Sequence, residues 1–235
     1  MSGEPIVFVP GLLADARLFR EPLEAFSGSH PVQVALPATG PDVAAMAGAI
    51  LAHAPPRFAA VGHGLGANVV LEMLRQAPAR VTRMALLSLV AQGEPPARAA
   101  AREAAIVRAR AGRIDEVAAD MARAAGQAPL ATVRAATAAT LAEMALALGP
   151  ELYVVQARAL QRRPDQQRLL RTHLLPTLIL SGDHDRECPP DRARVAAGLM
   201  RGARAVVLPD TGHHAPLDAP AAVVAELFLW LQVPG

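Results

Sequence analysis

The chain has 235 residues, a length that corresponds to one globular domain or to one domain with a sizeable insertion. Hydrophobic residues make up 52% of the sequence and charged residues 19%, which excludes a disordered linker protein. The formal net charge is only +2, and the basic residues are scattered among acidic ones. We therefore expect no nucleic-acid partner.

The composition is biased in two ways. All 23 basic residues are arginine, and alanine makes up roughly a fifth of the chain, well above ordinary usage. We attribute both to a GC-rich coding sequence. Cys188 is the one cysteine, which excludes an internal disulfide and a multi-cysteine zinc site. The first residues lack the pattern of a signal peptide, and Arg134 and Glu143 interrupt the alanine-rich stretch 128–148, so we predict a cytoplasmic protein without a membrane span.

Short apolar runs alternate with helical patterns near both ends of the chain. The runs predict strands at 6–10, 31–37, 58–62, 83–90, 176–182 and 203–209. Helical periodicity lies between them at 41–54, 68–77, 191–200 and 219–231. Strands that alternate with helices indicate βαβ units and a parallel sheet.

The middle of the chain, residues 92–174, has no strand pattern. Breaks at Gly112, Gly126–Pro129, Gly149–Pro150 and Pro164 predict three or four short helices. We therefore predict an α/β core formed by residues 1–91 and 175–235, with 92–174 inserted as a helical cap.

The third predicted strand runs into a glycine-rich turn, AVGHGLGANVV. One motif that fits is the dinucleotide fingerprint G-x-G-x-x-[GA], with Gly62, Gly64 and Ala67. That fingerprint normally follows the first strand of its unit and needs an acid at the end of the next strand. Here the next strand ends at Ser88 without an acid, so we disfavour a dinucleotide site.

The second motif that fits is the nucleophile elbow G-x-S-x-G, with Gly62, Gly64 and Gly66. Its flanking glycines are needed because the strand-to-helix turn is too tight for side chains there. The middle position should be serine, and it is glycine. His63 precedes it, and we interpret this histidine as a packing residue rather than a catalyst.

Three further segments match one family in the correct order. VFVPGLLADARLF has Pro10-Gly11 where the family usually has His-Gly, LILSGDHDRECPP has Gly182 and Asp185 in an acid turn, and LPDTGHHAPLDAP places His213 after a glycine. With the elbow, these segments make the chain resemble the small bacterial α/β-hydrolases (carboxylesterases, lactonases and thioesterases) along its whole length.

The resemblance implies a mostly parallel central sheet flanked by helices, with an inserted helical cap. It also implies a mechanism in which a serine attacks a carbonyl, His213 takes the proton and Asp185 orients the imidazole. The backbone N–H groups of Leu12 and Leu65 would form the oxyanion hole. The substrate would be a small ester, thioester or lactone in an apolar pocket under the cap, with no cofactor.

Structural explanations compete with these roles. Asp183 and Asp185 are both compatible with turn residues, and His213 with a core histidine, but the motif context favours Asp185 and His213 as acid and base. A metal site at His213 and His214 is disfavoured, because adjacent histidines on an extended chain point in different directions and no ligand spacing is present. We assign no role to Cys188 and leave that of His214 open.

Glycine at position 64 leaves three interpretations. A native serine was replaced by glycine; or the fold works without a covalent intermediate, with His213 and Asp185 as an acid–base pair in a lyase, isomerase or cyclase; or the chain is a pseudoenzyme that binds a small ligand. In each case we expect poor ester hydrolysis. The sequence leaves the oligomeric state open, a homodimer included.

Overall fold

The computed structural model of the chain describes residues 3–125 and 129–234. Its strands are Ile6–Val9 (β1), Val32–Val34 (β2), Phe58–His63 (β3), Val81–Leu87 (β4), Thr177–Gly182 (β5) and Ala203–Leu208 (β6). Its α-helices are Arg20–Phe26 (α1), Val43–Leu51 (α2), Leu65–Gln76 (α3), Pro96–Arg110 (α4), Ile114–Ala125 (α5), Ala131–Gln161 (α6), Gln167–Leu170 (α7), Pro190–Leu199 (α8), Ala215–Asp218 (α9) and Pro220–Leu231 (α10).

The strands form one parallel sheet in the order β2-β1-β3-β4-β5-β6, which confirms the predicted fold class. After β2 the chain returns to the other side of β1 and builds the rest of the sheet outward. The strand order therefore reverses between β1 and β3. A crevice at the carboxyl ends of such a pair of strands is where open α/β sheets bind ligands.

Helices cover both faces of the sheet, because successive side chains of a strand point to opposite faces. Val7 and Val9 pack into a core with residues of α2, α3 and α8, whereas Ile6 and Phe8 pack into a core with residues of α1 and α10. All four side chains are buried. Burial on both faces explains why the strands are continuous apolar runs rather than alternating ones.

The helices between β4 and β5 occupy residues 96–170, inside the predicted cap 92–174. The 31 residues of α6 are divided into two helical arms at Gly149, which confirms the predicted break at Gly149–Pro150. At Gly149 (φ 81°) the chain kinks, and Pro150 starts the second arm, where a missing N–H costs little. Most of the predicted break at 126–129 lies outside the described residues.

Two helices of the core, α1 and α9, were not predicted. Both are short, and their apolar residues give no helical periodicity over so few positions. Among the described helices, α6 is long and apolar enough to meet the criterion for a membrane span. It is nevertheless kinked at Gly149 and contacts α4 and α5 along the cap.

Candidate active site

The turn between β3 and α3 has the conformation of a nucleophile elbow. Gly64, at its apex, has φ 53° and ψ −113°, a combination that L-residues rarely adopt. A Cβ on Gly66 would lie 1.9 Å from the carbonyl oxygen of Val9, and one on Gly62 would lie 2.5 Å from that of Gly66. Both flanking positions therefore require glycine, because the strand-to-helix turn is too tight for side chains there, as predicted.

The apex, in contrast, has room for a side chain. A Cβ on Gly64 would meet one atom within 4 Å, the Nε2 of His213 at 3.6 Å, which is an ordinary van der Waals distance. A hydroxyl one bond further out would be within hydrogen-bonding range of that nitrogen. The structure thus brings Gly64 and His213 together as the motifs predict.

His213 is bonded to Asp185 on its other side. Its Nδ1 lies 3.0 Å from Oδ1 and 3.1 Å from Oδ2 of Asp185, whose side chain is buried. Oδ1 also accepts the backbone N–H groups of Glu187 and Cys188, at 2.9 and 2.8 Å. Burial opposes ionisation of Asp185, but the charge of His213 and these hydrogen bonds hold its pKa below the usual value.

The same contacts keep His213 protonated. Burial disfavours the charged ring, but the carboxylates of Asp185 and Glu187 outweigh it and raise the pKa of His213 to about 9. Glu187 lies in the turn after β5, and the charge of His213 lowers its pKa in return. Glu187 was not predicted as a site residue, because one acid in a charged turn has no distinguishing pattern.

Two side chains hold the backbone of His213. Its carbonyl oxygen accepts from Nε2 of His63 at 2.9 Å and from Oγ of Ser88 at 2.8 Å. Burial and the charge of His213 lower the pKa of His63 to about 4, so this ring is a neutral donor. Ser88 was missed as a site residue, although a polar residue just after an apolar strand was a usable signal.

The predicted oxyanion donors, Leu12 and Leu65, line the cavity together with Gly64. Leu65 is the first residue of α3, where an N–H has no partner within the helix, and Leu12 follows β1. The next residue, Leu13, donates its N–H to Oε1 of the buried Gln156 on α6 at 2.8 Å, so the cap holds this loop in place. No signal in the sequence of α6 distinguishes Gln156.

A comparison with known protein families gives one match that covers most of the chain. Residues 6–227 match the model of the alpha/beta hydrolase family. The chain belongs to the α/β-hydrolase family. No curated protein sequence matches the chain significantly.

Solved α/β-hydrolase structures superpose along nearly the whole chain. A thermophilic esterase from Thermogutta terrifontis is 23% identical with a TM-score of 0.86, covering 98% of this chain and 90% of its own. The enol-lactonase from Burkholderia xenovorans LB400 is 20% identical with a TM-score of 0.86, covering 99% and 93%. MenH from S. aureus is 18% identical with a TM-score of 0.84, covering 99% and 94%. At these identities the likeness establishes the fold.

The α/β-hydrolase has a cavity of about 100 Å³ between the sheet and the cap. We call its sheet side, formed by Leu12, Gly64, Leu65 and His213, the floor. We call its cap side the roof, formed by Arg98, Arg102 and Arg163 with Met121 and Leu160. The expectation of an apolar pocket is incomplete, because the roof is also cationic.

Three histidines meet at the floor, contrary to the expectation that adjacent histidines point apart. One ring nitrogen from each of His63, His213 and His214 lies within 4.8 Å of the others. His63 and His213 each already use one nitrogen in a hydrogen bond. Since the raised pKa of His213 opposes the loss of a proton that metal binding requires, the absence of a metal stays our prediction.

Cys188 cannot replace the missing serine in this geometry. Its Sγ is buried and donates to the carbonyl oxygen of Leu89 at 2.8 Å. Burial and the neighbouring charge of Asp185 raise its pKa to about 12, so the thiolate does not form at neutral pH.

Proposed function

We propose that this is the site of a serine-type hydrolase of small esters, thioesters or lactones, present here without its attacking oxygen. The supporting observation is position 64, which has the elbow conformation and would place a Cβ 3.6 Å from Nε2 of His213. A serine there would have its hydroxyl beside the base, as covalent hydrolysis requires. Glycine supplies no nucleophile, so we expect the chain as written to hydrolyse esters poorly or not at all.

The other groups of the mechanism do not depend on the side chain at position 64. With serine present, His213 would take the hydroxyl proton as the oxygen attacks the carbonyl carbon, and Asp185 would stabilise the imidazolium. The N–H groups of Leu12 and Leu65 would donate to the developing oxyanion. Glycine thus removes one reacting atom and leaves the groups that bind and polarise the substrate.

The test compares the chain with its Gly64→Ser and Gly64→Ala variants on short p-nitrophenyl esters. Because removing a triad nucleophile costs roughly 10⁶-fold in kcat, we expect Gly64→Ser to gain about 10³-fold or more. Gly64→Ala is the matched control, since it adds the same Cβ without an oxygen and should stay inactive. Equal turnover by glycine and serine forms, or no gain on Gly64→Ser, would contradict the proposal.

A second candidate is an acid–base enzyme that needs no nucleophile. It is supported by the intact pair of His213 and Asp185, whose free nitrogen faces the open position at Gly64. Such a pair can move a proton to or from carbon in lyase, isomerase or cyclase chemistry. The glycine chain would then exchange the protons next to the carbonyl of an acetyl thioester in D₂O, and His213→Ala would abolish that exchange. Ligand binding with neither activity would indicate a pseudoenzyme.

A further inference from the structure

The roof of the cavity contains more positive than negative charge. Arg98 and Arg102 lie one turn apart on α4, and Arg163 follows the end of α6. Glu94 is fully buried between two of them: its Oε1 accepts from Nε of Arg102 at 2.6 Å, and its Oε2 from Nη2 of Arg163 at 3.0 Å. The carboxylate of Glu94 therefore forms an ion pair with two guanidinium groups, and each of its oxygens accepts one hydrogen bond.

The pair of Arg98 and Glu187 does not neutralise the excess positive charge of the roof. The nearest acid to Arg98 is Glu187, 3.7 Å away, which is too far for a hydrogen bond. Three guanidinium groups thus face two carboxylates, while the charged ring of His213 is matched by Asp185. Burial lowers the pKa of Arg163 and outweighs the opposing charge of Glu94, and the nearby charges of Arg102 and Arg98 lower it further. One positive charge is left over among the described residues around the cavity.

The arginines of the roof line the same cavity as Gly64. Arg102 uses its Nε for Glu94, and its two terminal amino groups have no hydrogen-bond partner in the part of the chain that the structure describes. Nor does Arg98 make any hydrogen bond to the residues of ranges 3–125 and 129–234. Guanidinium groups bind carboxylates through paired N–H donors, with stronger hydrogen bonds than neutral groups make.

We propose that the ligand of this cavity carries a carboxylate, which binds Arg98 and Arg102 while the reacting carbonyl lies at Gly64. The proposal rests on the proposed function for the position of the carbonyl. The cavity volume of about 100 Å³ suits a ligand with a few carbons between the two groups. The substrate class is then a monoester or monothioester of a short dicarboxylic acid, or a lactone that bears a carboxylate.

The test measures binding to the glycine chain by calorimetry, with monomethyl succinate and dimethyl succinate as probes. The two probes share a carbon skeleton and one methyl ester, and the first has a carboxylate where the second has another ester. We expect the monoanion to bind about tenfold more tightly, the gain typical of one charge-assisted hydrogen bond. Arg98→Gln and Arg102→Gln should each remove most of that preference. Arg110→Gln, an exposed arginine on the same helix, is the control and should retain it.

Arg98→Gln is the decisive variant, because Arg98 makes no hydrogen bond that its loss would break, whereas Arg102→Gln also weakens the hold on Glu94. Equal affinity for the two probes, or an unchanged preference in Arg98→Gln, would overturn the carboxylate site. This outcome is separable from a failure of the proposed function. Binding is measured without turnover, whereas the proposed function fails if Gly64→Ser does not hydrolyse neutral esters.

Discussion

The floor and the roof of the cavity differ in how their chemistry is positioned. The floor is positioned by tight turns at the carboxyl ends of strands: Gly64 follows β3, and Asp185, which holds His213 by hydrogen bonds, lies just after β5. The roof is built from long side chains on the helices of the cap, such as Arg98 and Arg102 on α4. Backbone turns fix the floor to within a narrow geometry, whereas the roof depends on which face of each helix is turned inward.

We therefore expect the floor to determine the type of reaction and the roof to determine which ligand binds. The floor contains the groups that would act on a carbonyl, and their distances leave little freedom: Nδ1 of His213 is bonded to both oxygens of Asp185. The roof contains the unmatched charge that would select a ligand. Substitutions in the floor should therefore change kcat by orders of magnitude, and those in the roof should mainly change affinity.

The largest effect is expected at Asp185. In the Gly64→Ser background, Asp185→Asn should lower kcat roughly 10⁴-fold, because the imidazole loses the charge that fixes its tautomer. Asp183→Asn is the matched control: Asp183 lies on the same turn, is more exposed and accepts a hydrogen bond from the backbone N–H of Thr211. Steady-state kinetics on a p-nitrophenyl ester measures both. Similar losses for the two variants would mean that the floor does not depend on a specific acid.

The same contrast explains what could be predicted from the sequence. The elbow and the acid turn were predictable because such turns admit few residue types, so Gly62, Gly66 and Asp185 stand out even in an alanine-rich chain. The roof was not predictable, since Arg98 and Arg102 are two of 23 basic residues, all arginine, in helices made largely of alanine and arginine. Only the folded cap distinguishes the arginines that face inward from those that face solvent.

A smaller effect is expected on stability at the apex of the elbow. Gly64→Ser and Gly64→Ala should each lower the free energy of unfolding by about 1–3 kcal/mol, because a residue with a side chain is strained at φ 53°. The added Cβ has room at this position, so the expected loss comes from backbone strain and not from a steric clash. Gly198→Ser is the control, since Gly198 lies in α8 with open space around it and no positive φ, and it should not destabilise. Urea unfolding measures all three. If Gly64→Ser or Gly64→Ala were as stable as the glycine chain, the backbone at position 64 would not be strained for a residue with a side chain.

The smallest expected effect is a shift in the pH dependence of activity. It tests whether charges of the roof change the pKa of His213 in the floor. The base form of His213 is needed for catalysis, and its pKa of about 9 means that kcat/KM of the Gly64→Ser variant should rise with pH through the neutral range and level off above about 9. The charge of Glu187 helps to raise this pKa, so Glu187→Gln should move the midpoint to lower pH and increase activity at pH 7. The charge of Arg98 lowers the same pKa, so Arg98→Gln should move the midpoint to higher pH.

A neutral ester is the substrate for these pH profiles, so that a change in carboxylate binding at the roof does not enter them. Glu151→Gln, at an exposed position of the cap, is the control and should leave the midpoint in place. A shift of the midpoint to higher pH in Arg98→Gln, opposite to that in Glu187→Gln, would show that the roof lowers the pKa of His213 in the floor. Shifts in the same direction, or none, would mean that the two sides act independently and that Asp185 alone determines the protonation of His213.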